Sequence, residues 1–356
     1  MEPAGIVEAS AMRWARMSVA AVAVLALLVA AGCGRYRVRA PAASSSIEWT
    51  EELFARKPDP AFTVDVAKDG TPADTVVGRV QRYRVRKGDT FLDVARYYGL
   101  GYEDLIAANP GIDPWIPKAG TELRLPTAYV LPCCTYRGVV VNIPEMRLYH
   151  YEKVEGEPQR LRVRTYPVGL GRDKWRTPRG GFRVAAKTEK PQWIIPESIR
   201  REHVRERGDA RRSIPGGHPD NPLGGYRLRL SNGSYSIHGT NMPWGVGQQT
   251  SHGCIRMYPE DIAHLYPDVP VGARVELTYQ PVKAGRWGDA TFVEVHRDIY
   301  RYAKSLAHSA SQALTRRKLG AEADADAVKA AVAEPTGVPV RVSGVSGALG
   351  PLAAVR

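Results

Sequence analysis

Cys254 lies two residues after His252 and sixteen after His238, in the stretches Ser251-His252-Gly253-Cys254-Ile255-Arg256 and Ile237-His238-Gly239-Thr240. A thiol becomes a good nucleophile when an imidazole within hydrogen-bond reach takes its proton, which gives a thiolate–imidazolium pair with a depressed thiol pKa. Residues 235–238 read as a strand. Residues 241–250, rich in Gly, Pro and Gln, read as a loop that returns the chain to Cys254. Strand, loop and turn can therefore set His238 beside the thiol. Gly253 lets the backbone approach a substrate carbonyl, and neighbouring N–H groups can then hold a developing oxyanion. The chemistry implied is covalent attack on a carbonyl carbon. Two other readings use the same residues. One is an inert buried thiol beside a core histidine. The other is a zinc site from His238, His252 and Cys254 with an open fourth position. No Asp, Glu or further Cys stands at ligand spacing, so neither a metal nor an organic cofactor is expected.

The elements that must position these side chains read mostly as strands. Residues 138–151, 161–169, 181–187, 226–230, 235–238 and 274–279 alternate or carry β-branched and aromatic residues between Gly, Pro and Asn turns. One helix over 259–266 follows the cysteine, with Pro259 in its first turn and Glu260 and Asp261 near its positive end. The fold class expected is mostly β: a β-sandwich-like domain over 139–280 with its site at a sheet edge under loops. A last strand at 291–295 and an Ala-rich, partly helical stretch form an extension over 281–334. Residues 335–356 read as a disordered tail.

Blocks in order across residues 139–279 resemble the catalytic domain of L,D-transpeptidases, the YkuD-type fold. They are Val141-Asn142-Ile143-Pro144-Glu145-Met146, Thr177-Pro178-Arg179-Gly180-Gly181-Phe182, Pro191-Gln192-Trp193-Ile194-Ile195-Pro196, Asp220-Asn221-Pro222-Leu223-Gly224, His238-Gly239-Thr240-Asn241 and the Ser251–Ile262 run. The resemblance implies that Cys254 attacks the third residue of a peptidoglycan stem tetrapeptide, expels D-alanine, and yields a thioester that an amine resolves. It makes His238 the general base, oriented by the Gly239 carbonyl as a carboxylate orients the base of other triads. Ser251, His252 and Gly253 complete the catalytic set, with His252 as a positioning group and rival base. Arg256, Trp193 and Asn241 are the substrate-binding candidates. Arg256 stands where many members carry Asn, and suits a stem-peptide carboxylate or a structural salt bridge. Water in place of the amine would make an L,D-carboxypeptidase; a dead site would make a wall-binding lipoprotein. The amine itself, from a stem peptide or an envelope protein, is not legible.

Residues 81–127 carry a second module. Residues 83–86 alternate like a strand, Lys87-Gly88-Asp89-Thr90 forms a turn, helices start at Phe91 and Tyr102, and the segment up to Pro126 closes as a strand. This βααβ order, with the Asn109-Pro110 helix end, resembles a LysM module, which implies glycan binding. Asp89, Thr90, Asn109 and Pro110 are the groove candidates. As a separate fold, this module is expected to be dispensable for turnover of soluble substrate.

Residues 1–33 read as an export signal. Arg13 and Arg16 precede an apolar run at 17–31, too short for a comfortable span, and Ala30-Ala31-Gly32-Cys33 resembles a bacterial lipobox with Ala30 in place of the usual Leu. Cys33 is the expected lipidation site, with a flexible tether over 34–80 and a linker over 128–138. Gly34 is not an acidic retention signal, so a periplasmic protein anchored in the outer membrane follows for a Gram-negative source. Cys133 and Cys134 are left as two surface thiols or, in an oxidising compartment, a vicinal disulfide. The net charge of +13 suits the anionic wall; the export signal argues against nucleic acid as its partner. The arginines of 200–212 read as a solvated face.

Overall fold

The computed structural model describes residues 48–59 and 61–343. The signal, the lipobox and Cys33 lie outside the described residues.

Nine strands form one curled sheet, in the order Ala61–Asp65, Glu157–Pro167, Arg147–Val154, Gly138–Asn142, Arg274–Thr278, Gly180–Glu189, Tyr226–Leu230, Ser236–His238 and Ile255–Arg256. Neighbours are antiparallel except at Gly138–Asn142 with Arg274–Thr278 and at Ser236–His238 with Ile255–Arg256. Gly180–Glu189 serves two partners. Its first half pairs with Arg274–Thr278 and its second with Tyr226–Leu230, with a register shift between Val184 and Ala186. Such an irregularity bends a strand and curls its sheet. The main core lies inside the curl, where Val139, Val141, Leu228, Ile237, Ile255 and Leu277 meet Ile262 and Leu265 of the helix Pro259–Asp268.

The βααβ module pairs Gln81–Arg84 with Glu122–Leu125 and packs helices Phe91–Tyr97 and Tyr102–Ala108 over them. Phe91, Val94, Leu105 and Leu123 form its core. The extension is a third packed unit. The hairpin Val282–Trp287 and Ala290–Val295 is covered by helices Leu306–Arg317 and Ala325–Ala333.

Three segments differ from expectation. The tether holds a helix, Glu51–Ala55, capped by Thr50, and two strands, Ala61–Asp65 and Val76–Gly78, the first of which edges the main sheet. Phe54, Val64, Val76 and Val77 are buried there, too sparsely spaced to register as a periodic pattern. The linker contains the buried strand Ala128–Val130. In the tail, Val340–Arg341 pairs with the extension's hairpin, flanked by buried Val338 and Val342. Cys133 and Cys134 stand side by side with their sulfur atoms against one another.

The module is not a loosely strung bead. Arg96 of its first helix donates to both carboxylate oxygens of Glu260, at 3.0 and 2.9 Å, and to both of Glu51, at 2.8 and 2.7 Å. Lys57 sits 2.6 Å from Asp261. The acids at the start of the helix Pro259–Asp268 are thus neutralised by the module and by the segment before it. Gly247 packs so closely that a Cβ there would stand 2.4 Å from Gly101 Cα and Tyr102 N. Deleting 81–127 would leave Glu260 without Arg96 and uncover this loop, so the module is packed against the catalytic body. Removing one partner of a buried ion pair strands the other charge, which costs ~3–5 kcal/mol. Lys57 still stands 3.4 Å from Glu260, so Arg96→Ala is expected to lower the stability of the whole chain by no more than the low end of that range, read as a lower urea midpoint at unchanged slope.

Candidate active site

Alternation along the two parallel end strands builds the site. Ile237 pairs with Ile255 and both enter the core; His238 pairs with Arg256 on the other face. Cys254, two residues before Arg256, opens on that face too. His238, Cys254 and Arg256 line one cavity of about 460 Å³ together with Ser251, His252, Asn241 and Trp193. Every candidate named from the sequence for catalysis or stem-peptide binding lines this cavity except Gly239 and Gly253, which shape the backbone beside it.

Gly239 lends its carbonyl. His238 Nδ1 lies 2.6 Å from Gly239 O. Because a carbonyl only accepts, Nδ1 carries the proton and Nε2 keeps the basic lone pair. Gly253 has φ +103°, and a Cβ there would stand 2.8 Å from the Tyr235 ring. Ser251 pins the turn: its hydroxyl donates to Cys254 O at 2.6 Å and accepts from Gly253 N at 3.1 Å. Thr177 donates to Gly253 O at 3.1 Å and accepts from Gly171 N at 3.0 Å.

The resting charge state differs from the ion pair expected. Burial, reinforced by the Arg256 charge, pushes the His238 imidazole down to about 3. Burial also raises the Cys254 thiol, against a smaller opposing effect of a hydrogen bond from the Ser236 backbone. Both groups therefore rest neutral, a consequence of burial that no spacing rule reveals. A raised thiol reacts only as pH climbs through its titration. Iodoacetamide labelling of Cys254 is expected to be slow at neutral pH and to accelerate only above about pH 9. A flat rate from about pH 5 to 8 would instead mean a resting thiolate–imidazolium pair.

Arg256 reaches Thr250 Oγ1 at 3.5 Å, and its buried Nε has no partner among the described residues. It is not held in a salt bridge. Asn241 donates to Pro219 O at 2.9 Å, and its buried Oδ1 has no partner among the described residues. Trp193 stands against the His203 ring at 5.9 Å.

The sequence did not single out the opposite wall. Residues 193–223 make an excursion from the sheet in which the short strands Trp193–Ile194 and Ser213–Ile214 pair around the helix Glu197–Arg207. Ile199, His203, Arg207, Asp209 and Arg211 face the cavity from it. Glu202 on this helix accepts from Arg172 at 2.6 Å and from His252 Nε2 at 2.8 Å. These two bonds, Arg172 first, pull its carboxyl down to about 2. The arginine run hid this face, although Ile199, Glu202, His203 and Glu206 repeat at helical spacing. His252 is thus directed to Glu202 and His238 to Gly239, and the donor atoms of these two and Cys254 are not gathered within reach of one ion. Among the described residues the donor atoms close enough to share a cation belong to Glu145, Glu294 and His296. Lys283 Nζ already fills that place, 2.7 Å from Glu145 and 2.8 Å from Glu294.

In the βααβ module two groove candidates are spent on the fold. Asp89 is buried and accepts from Tyr83 OH at 2.6 Å, Arg86 N at 2.7 Å and Trp49 Nε1 at 3.1 Å. Asn109 is buried and bonds Leu105 O, Arg124 O and Arg124 N. Neither has a polar atom turned outward. Thr90 caps the first helix through Asp93, and Pro110 is exposed. Trp115 and Ile116, in the loop after the second helix, are the large exposed apolar side chains there.

Residues 136–277 match the L,D-transpeptidase catalytic domain family (YkuD), and residues 83–126 match the LysM domain. The chain is 34% identical over 304 residues to the probable L,D-transpeptidase ErfK/SrfK of Escherichia coli strain K12, covering 82% of this chain and 94% of that one. It is 35% identical over 243 residues to the probable L,D-transpeptidase YbiS of the same organism, covering 67% of this chain and 76% of that one. Among solved structures, an L,D-transpeptidase from Mycobacterium smegmatis aligns with a TM-score of 0.29 at 20% identity, over 45% of this chain and 63% of that one.

Proposed function

The chain belongs to the L,D-transpeptidase family, a group of cysteine-dependent peptidoglycan enzymes, and from that premise we propose how its own residues carry the reaction. Cys254 attacks the carbonyl of the third residue of a stem tetrapeptide. His238 Nε2 takes the thiol proton as the C–S bond forms, so the neutral resting pair becomes charged only in the transition state. The tetrahedral oxyanion is held by backbone N–H groups of the Ser251–Cys254 turn. Collapse expels D-alanine, whose nitrogen receives the proton from His238. An amine then resolves the thioester. The observation that carries this reading is one cavity holding a lone thiol, an imidazole clamped on Gly239 and a guanidinium whose buried Nε has no partner among the described residues.

Arg256 is the carboxylate clamp for the stem peptide. A hydrogen bond to a charged group is worth about 1.5–3 kcal/mol. Arg256→Ala is therefore expected to raise KM for tetrapeptide roughly 10- to 100-fold while kcat changes less, measured by D-alanine release. An equal fall in kcat would move Arg256 from binding to chemistry.

The LysM module holds wall glycan, with Thr90 and Pro110 on the groove side and Trp115 and Ile116 as stacking surface. The protein works in the envelope on the wall. It is exported and anchored through a lipid on Cys33, in the outer membrane of a Gram-negative source. A mature mass without acyl groups would remove the anchor. Sacculi incubated with the enzyme and digested to muropeptides test the whole reading. New cross-links between third residues, or an envelope protein joined to a tripeptide, support transpeptidation. Tripeptides alone would make the enzyme an L,D-carboxypeptidase.

A further inference from the structure

The geometry points to a second base in this site, and we propose that His252, held by Glu202 and Arg172, takes the proton from the incoming acceptor amine while His238 serves the thiol. The inference rests on the transpeptidase reading above and assigns roles within it.

Three imidazoles line the cavity with Cys254, those of His203, His238 and His252, and the settings of the last two differ. His238 is 3% exposed, whereas the His252 side chain is 22% exposed, so an amine entering from solvent reaches the His252 ring more readily than the His238 ring. His252 Nε2 lies 2.8 Å from Glu202 Oε2 and 2.5 Å from Arg172 Nη2, which also bonds the other carboxylate oxygen at 2.6 Å. A guanidinium only donates and an ionised carboxylate only accepts; in the tautomer proposed, Nε2 donates to Glu202 and Nδ1 is left with the lone pair. The Trp175 ring, 5.2 Å from the His252 ring, limits its rotation. This is the carboxylate–imidazole pattern of a general base, where the acid fixes the tautomer and steadies the imidazolium that forms.

The acyl-enzyme needs such a base. An alkyl amine arrives at neutral pH as R–NH₃⁺, which has no lone pair to attack with. His252 Nδ1 removes one proton, and the imidazolium is held by Glu202. The neutral nitrogen attacks the thioester carbonyl, the C–N bond forms, and the C–S bond breaks. The second nitrogen proton passes to the leaving sulfur through His238, which restores the thiol. His252 then returns its proton to water. Glu202 acts through His252 and is a positioning residue.

The test uses the full chain, acylated with a soluble tetrapeptide donor and followed by quenched intact-mass measurement. The adduct on Cys254 must form first; its absence would overturn the donor reading and this proposal together. The wild type, Glu202→Gln, Glu202→Asp and His252→Ala adducts are then mixed with an alkyl amine acceptor or with hydroxylamine, which is already neutral at pH 7. The expectation is slower discharge by the alkyl amine, about 10²-fold or more for His252→Ala and at least about tenfold for Glu202→Gln, with partial recovery in Glu202→Asp. Hydroxylamine should discharge all four at similar rates. The charged and titratable groups facing His252 are Glu202, Arg172, Arg256 and His203. Of these, Glu202 supports the protonated ring, so its loss should also move the acid limb of alkyl amine discharge to lower pH. An equal loss with both acceptors would mean a merely structural contact. No loss with either, or a matching loss in the acylation step, would equally overturn the proposal.

Discussion

Cys254→Ala is expected to give no acyl-enzyme and no transpeptidation, a loss on the order of 10⁴-fold or more, since covalent nucleophiles act as a unit with their base. Cys254 is a free thiol beside the His238 face, and no other cysteine lines the cavity. Exchanging a thiol for a methyl group at a half-buried position leaves the strand pairing Ile237–Ile255 and the Ser251 contacts in place. Intact-mass measurement after exposure to tetrapeptide or to a carbapenem should show an adduct on the wild type only. Glycan binding should survive, because the LysM core of Phe91, Val94 and Leu123 is remote from the substitution. Near wild-type turnover in Cys254→Ala would sink the thioester mechanism.

The site was legible where its logic is local. The alternation of Ile237, His238, Ile255 and Arg256 along short strands fixes which side chains are buried and which open on the cavity. The Gly253 turn and the βααβ order follow in the same way from neighbours in the sequence. What sequence could not show is long-range or depends on burial. Arg96 and Glu260 stand 164 residues apart, and neither carries a local mark of the other. The same holds for Glu202 and His252, 50 residues apart. The charge state failed for a related reason. Proximity to His238 suggested a thiolate, but burial of both groups disfavours the charged forms. The segment before the LysM module looked like a tether because its few apolar residues are scattered, yet Phe54 and Val64 each find a partner surface in the folded body. Composition measures how much apolar surface a segment carries, not whether another element is shaped to receive it.

His238→Ala is the sharper test of how the two histidines divide the work. Loss of a general base costs about 10²–10⁴-fold, and that loss is expected in the acylation of Cys254. His238 is fitted to serve the sulfur and poorly fitted to take the first proton of an incoming amine. Its Nδ1 is committed to Gly239 O at 2.6 Å, and its burial keeps the imidazole neutral far below the ordinary histidine range. A base with a low resting pKa is always ready to accept a proton, but the imidazolium it forms needs stabilisation. The Gly239 carbonyl supplies part of it and the charge developing on the oxyanion supplies more, so proton transfer and carbonyl attack are coupled. The acid limb of wild-type acylation should accordingly lie well below pH 6.5, near the imidazole value of about 3, because acylation needs the neutral ring and gains rate only as pH rises through its titration. Stopped-flow acylation by a carbapenem across pH reads both quantities at once. A limb at ordinary histidine pH, together with a larger loss in His252→Ala than in His238→Ala, would exchange the roles of the two residues.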